Sequence, residues 1–146
     1  MIYHFNDAAS GGLMEDDVME FSVAHNRKYS KEHVWYQEKD ERLVIGISDF
    51  LAEDIGEILR VILRQAENEI DVDESMFSIW TAEEKLTFPS PFSGMIDEVN
   101  GEVEISPDLV NDSPYDLGWV MILNPHELDM ENLLDADEYV EYLAEL

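Results

Sequence analysis

From residue 34 onward, short apolar stretches rich in β-branched residues alternate with charged turns. Val34-Trp35-Tyr36 and Leu43-Val44-Ile45-Gly46-Ile47 flank the charged residues 38–42, which predicts a β-hairpin. Ser48 then stands at a helix N-cap, Phe50, Leu51 and Ile55 share a face, and Gly56 follows, so a two-turn helix is expected here. Residues 57–63 return to a strand through Ile58, Val61 and Ile62, and after a polar turn Ile70 and Val72 resume the alternation. Phe77 and Ile79 alternate with Ser78 and Trp80, and Leu86 and Phe88 alternate with Thr87, so two strands should flank a turn near residues 82–85. Pro89 and Pro91 forbid a helix before Gly94, residues 95–99 read as a strand, and residues 119–123 as the last one.

The two ends read differently. Residues 1–27 have no sustained period and include the flexible stretch Ser10-Gly11-Gly12, but Met14, Val18, Met19 and Phe21 predict one or two helical turns. At the other end, Asn124 as a cap, Pro125 at the first helical position and Glu127 beyond it predict a helix with a stripe of Met130, Leu133 and Leu134. Asp135 and Glu138 have capping-box spacing ahead of Tyr139, Val140, Tyr142 and Leu143, which predicts a second C-terminal helix. Together these elements predict a mainly β domain, an antiparallel sandwich or flattened barrel with a short internal helix and C-terminal helices. It is expected to span residues 28–146, with residues 1–27 as a flexible extension.

Composition narrows the chemistry. With 35 acidic and 8 basic residues the formal charge is -27, which repels phosphate backbones and anionic lipid, so neither nucleic acid nor membrane is an expected partner. A solvated or salt-adapted surface explains this charge, as does steering toward basic protein surfaces. No run of eighteen apolar residues occurs and the amino terminus has no basic start, so a cytoplasmic protein is expected. There is no cysteine, and the four histidines His4, His25, His33 and His126 lack the spacing of a zinc site, so no metal is expected. Pairs such as Asp16-Asp17, Glu53-Asp54 and Glu83-Glu84 are expected as solvated charges in so acidic a chain. Ser90 and Ser93 lack a nucleophile-elbow setting, and no phosphate-binding glycine motif occurs.

The tryptophans Trp35, Trp80 and Trp119 all fall in expected strands, where core packing is their ordinary use. Trp80 lies on the face opposite Phe77 and Ile79, beside the turn, and is the one expected to point outward as a partner-binding anchor.

Four segments, in order, resemble the glycine cleavage H proteins, the lipoyl carriers. They are Lys28-Tyr29-Ser30-Lys31-Glu32-His33-Val34-Trp35, Val44-Ile45-Gly46-Ile47-Ser48-Asp49, Ser90-Pro91-Phe92-Ser93-Gly94-Met95-Ile96-Asp97-Glu98-Val99-Asn100, and Leu109-Val110-Asn111-Asp112-Ser113-Pro114-Tyr115-Asp116-Leu117-Gly118-Trp119. The ending Leu133-Leu134-Asp135-Ala136-Asp137-Glu138-Tyr139 is also similar. The resemblance implies a lipoyl-domain-like barrel-sandwich hybrid whose hairpin tip presents a lipoylated lysine to the glycine cleavage enzymes. The H protein itself catalyses no step.

In the family the hairpin reads Glu-Ser-x-Lys, with its lysine eleven positions before the glycine that is Gly94 here. Trp80-Thr81-Ala82-Glu83 occupies that stretch, and a carboxylate cannot form the amide that holds lipoate. Glu67, Asp73 and Asp116 likewise stand where turn glycines are common in the family. Lys85 is the amine that remains nearby, either an exposed cation offsetting Glu83 and Glu84 or a displaced attachment point for lipoate. The expected function is a non-lipoylated binding or regulatory module with a degenerate lipoylation site, its contact residues Trp80, Glu83 and Glu84, and no bound cofactor. The alternative is a working lipoyl carrier modified at Lys85. Expected partners are proteins, among them glycine-cleavage or lipoate-related enzymes; an acid–base role for Glu83 has no nameable partner group in the sequence.

Overall fold

The computed structural model describes residues 2–6 and 18–146. A hairpin of β4 (Val34–Lys39) and β5 (Arg42–Ile47) begins the domain proper, in register from Val34↔Ile47 to Lys39↔Arg42. Its two-residue turn holds Asp40 at φ 55° and Glu41 at φ 65°, the left-handed pair that suits the twist of a hairpin. Ser48 caps α1 (Asp49–Ile55), its Oγ accepting from the Leu51 N–H at 3.2 Å, and Gly56 closes the helix at φ 73°. Hairpin and helix both form where local chemistry predicted them.

The remaining strands are β3 (Lys28–Tyr29), β6 (Arg60–Leu63), β7 (Glu69–Ile70), β8 (Ser75–Trp80), β9 (Lys85–Pro89), β10 (Gly94–Val99) and β11 (Met121–Pro125). They form a six-stranded sheet of order β3-β4-β5-β11-β10-β7 and a three-stranded sheet of order β6-β8-β9. Tyr36, Leu43, Ile45, Ile96 and Leu123 of the larger sheet bury against Val61, Phe77, Ile79 and Phe88 of the smaller one. Period-two alternation thus supplies one shared interior from both sheets.

A second cluster lies outside that interior, built from Phe21, Val23, Tyr29, Trp35, Phe50, Tyr139 and Leu143. Trp35 belongs to it because its ring lies across Gly46: a Cβ there would stand 2.6 Å from Trp35 Cζ2. Its indole N–H donates to the Pro114 carbonyl at 3.0 Å, satisfying the one polar atom of a ring that is 1% exposed.

The termini depart from expectation in two places. The helical turns expected around Met14 to Phe21 are replaced by β2 (Val18–Ser22), paired with β1 (Ile2–Asn6); Met14 lies outside the described residues. Phe21 and Val23, two apart, are both buried, the spacing of a strand and not of a helix. The helix expected at Asn124 does not form either, because Asn124 and Pro125 end β11, opposite Met95 and Gly94. Further on, Leu134 exchanges both backbone hydrogen bonds with Tyr29, at 2.7 and 2.8 Å. An extended 134 is incompatible with the expected stripe, although Met130 and Leu133 still pack on the core.

The second C-terminal helix is present as α4 (Ala136–Ala144), with both halves of the Asp135–Glu138 capping box formed. Two short helices not foreseen, α2 (Glu102–Ile105) and α3 (Asp108–Asp112), lead into the last strand. Residue 119 falls just outside β11, and Trp119 is half-buried. No helix among the described residues is long and apolar enough to cross a membrane.

Candidate functional site

The candidate site is the connection between β8 and β9. Pairing across this hairpin ends at Trp80↔Lys85, leaving residues 81–84 as the tip. Thr81 organises the turn: its N–H donates to the Glu84 carbonyl at 2.9 Å, and its Oγ1 accepts from the N–H groups of Glu83 at 3.3 Å and Glu84 at 3.2 Å. A threonine hydroxyl that satisfies two successive amides holds a tight turn without glycine. Ala82, Glu83, Glu84 and Lys85 are all exposed.

Trp80 is 40% exposed, as its position opposite Phe77 and Ile79 predicted. The Lys85 ammonium sits 5.5 Å from the centre of the Trp80 ring, a cation–π distance worth about 0.5–1 kcal/mol at a surface. The hairpin thus brings Trp80, Glu83, Glu84 and Lys85 together. Two neighbours escaped the sequence: Arg60 pairs across β6–β8 with Trp80, and the Leu59 N–H donates to the Trp80 carbonyl at 2.8 Å. Leu59 is 53% exposed. Only strand pairing places residues twenty positions earlier here, so local periodicity held no signal for them.

Groups with strongly perturbed protonation lie elsewhere. Burial pushes the phenols of Tyr29, Tyr36 and Tyr139 far up and the His33 imidazole down to about 4. These are packing residues: His33 Nδ1 and Ser48 Oγ both lie 2.8 Å from the Tyr139 hydroxyl. His126 faces Glu69 at 3.4 Å on the exposed surface. Among the described residues no group of three or more His, Cys, Asp or Glu is placed to hold a metal ion. A groove of about 440 Å3 on the outer face of the larger sheet, lined in part by Lys39, Arg42, Tyr115, Trp119 and Ile122, includes no residue of the hairpin tip.

The tip therefore offers a presented carboxylate pair, a half-exposed indole and one amine drawn back over that indole. The Glu67 and Asp73 turns have φ of 70° and 71°, the left-handed conformation that glycine adopts most easily.

Comparison with known proteins assigns the fold and the family. The family model described as Glycine cleavage H-protein matches residues 27–146. The glycine cleavage system H protein of Oceanobacillus iheyensis is 34% identical over 125 residues, covering 85% of this chain and 99% of that protein. That of Halalkalibacterium halodurans is 35% identical over 125 residues, covering 85% and 98%. Glycine cleavage system H protein 4 of Aquifex aeolicus is 31% identical over 135 residues, covering 91% and 79%. In three dimensions, the crystal structure of a glycine cleavage system H protein from Mycobacterium marinum superposes with a TM-score of 0.77 at 24% identity, covering 84% of this chain and 99% of that one. The barrel-sandwich architecture expected from the sequence is thereby found, and the chain belongs to the glycine cleavage H-protein family.

Proposed function

We propose that this protein is a non-lipoylated H-protein-like module that binds or regulates protein partners through its β8–β9 tip and performs no catalysis of its own. The observation that supports this reading is the side chain at the tip: Glu83, exposed and held by the Thr81 turn, stands eleven residues before Gly94, the spacing that the family resemblance assigns to the modified lysine. Lipoate attaches through an amide to an amine. A carboxylate offers no such nucleophile, so the group does not fit Glu83.

Lys85 supplies an amine, and lipoylation there is the second reading. Lys85 lies two residues past Glu83, already paired with Trp80 at the base of the turn, and its ammonium lies over Trp80 and not beyond the tip. Protein partners are proposed on either reading, with glycine-cleavage and lipoate-related enzymes as candidates and basic surfaces favoured by the -27 charge. A cytoplasmic location is part of the same proposal.

Co-expression with a lipoate ligase, followed by intact-mass measurement, tests it on three chains. Wild type should stay unmodified and Glu83→Lys should gain a lipoyl adduct, with stability changed by less than about 0.5 kcal/mol at this exposed position. An adduct on wild type that disappears in Lys85→Ala would overturn the proposal in favour of the second reading.

A further inference from the structure

The family match begins at residue 27, yet residues just before it are seated on the domain. Phe21 is 2% exposed, with its ring edge-on to Phe50 at a centroid distance of 5.2 Å, and Val23 is 2% exposed in the same cluster. Between these two anchors, the Ser22 N–H and hydroxyl both donate to Asp49 Oδ2, at 2.7 and 3.2 Å. The Ser22 carbonyl accepts from the Tyr115 hydroxyl at 2.8 Å, and the Ala24 carbonyl accepts from the Tyr29 hydroxyl at 2.7 Å.

Among the described residues, the side chains that hydrogen-bond Ser22 and Ala24 lie within residues 27–146, while Phe21 and Ser22 also pair with Tyr3 and Ile2 of β1. Asp49 opens α1, Tyr29 is in β3, and Tyr115 is in the loop after α3. They read main-chain atoms on both sides of one residue, while alternate side chains enter an apolar trough. Main-chain hydrogen bonds with pockets for alternate side chains are the features by which a domain recognises an extended peptide.

We propose that the H-protein domain carries a docking groove for an extended apolar-Ser-apolar peptide, formed by Tyr29, Asp49, Phe50 and Tyr115, and that this chain fills it in cis with residues 21–24. The occupant is the chain's own segment, so the groove is closed to any partner segment of the same pattern until residues 21–24 leave. Phe21 and Val23 supply the affinity and Asp49 fixes the register. The bend at His25 and Asn26 is exposed and joins ligand to receptor.

The test keeps the whole chain and cuts it only after folding. A site-specific protease sequence is inserted between His25 and Asn26, the folded protein is cleaved, and the N-terminal fragment is followed by size exclusion and native mass spectrometry. The expected result is that the fragment stays with the folded body, and that Asp49→Ala and Tyr115→Phe each speed its release at least tenfold. A labelled peptide spanning residues 18–25 should exchange into the vacated groove, and the same peptide with Phe21 and Val23 replaced by alanine should not. Immediate loss of the wild-type fragment from a folded body overturns the proposal. So does cooperative unfolding on cleavage, which would make residues 21–24 part of the core and not a ligand. Release unaltered in both variants would equally remove the groove.

Discussion

Protonation of His33 should set part of the pH dependence of stability. Burial holds its imidazole at about 4 in the folded chain against an ordinary value of 6.5. The ring packs between Phe50 and Tyr139, with centroids 5.1 and 5.8 Å away, and its Nδ1 meets the Tyr139 hydroxyl at 2.8 Å. The unfolded chain takes up a proton as pH falls through about 6.5, whereas the folded chain resists until about 4. The stabilisation is therefore complete above about 6.5 and is lost as pH falls from there toward 4. At about 1.4 kcal/mol per pKa unit, the gap sets a ceiling of roughly 3 kcal/mol. Water reaches part of the ring, which brings the expected value to about 1–2 kcal/mol. Protonation of the many carboxylates relieves repulsion over the same interval, so wild type alone is uninformative. His33→Asn is the proper reference, since asparagine tolerates the φ of 72° at this position and does not titrate. Urea unfolding followed by tryptophan fluorescence at pH 7.5 and 4.5 should show wild type losing about 1–2 kcal/mol more than His33→Asn. Parallel changes in the two proteins would refute the reasoning.

Three further outcomes are expected. Raising salt from about 10 mM to 1 M shortens the screening length from about 30 to 3 Å, so the melting temperature should rise; no change would show that the -27 charge does not strain the fold. Gly46→Ala drives a methyl to within 2.6 Å of Trp35, whose indole is fixed on the Pro114 carbonyl, and should cost about 1–3 kcal/mol in urea unfolding; a neutral result would mean that Trp35 can yield. Asp73→Gly removes a side chain from a left-handed residue at φ 71° and should leave stability unchanged or raise it by up to about 1 kcal/mol, whereas a clear loss of stability would show that the aspartate side chain holds the turn.

The sequence by itself determined the elements whose stabilising partners lie close along the chain. The Ser48 cap needs only Leu51, the Asp135 box only Glu138, and the β4–β5 and β8–β9 hairpins close over two and four residues. The outward placement of Trp80 followed from strand parity alone. The expectation for Glu83 came from its spacing to Gly94 through family resemblance, a relation that no local physical rule contains. Only the tertiary structure decided the two termini. Residues 124–134 have a good helix signal, yet pairing of Pro125 with Gly94 and of Leu134 with Tyr29 claims their backbone groups. Phe21 has helical-looking neighbours, but its burial depends on Phe50, twenty-nine residues away. Leu59 and Arg60 reach Trp80 across β6–β8, and His33 meets Tyr139 at a separation of 106 residues. Caps and turns are satisfied by short-range hydrogen bonds that any window of sequence displays. Sheet neighbours and buried polar pairs depend instead on where the chain returns, and that is set by the shared burial of surfaces distant in sequence.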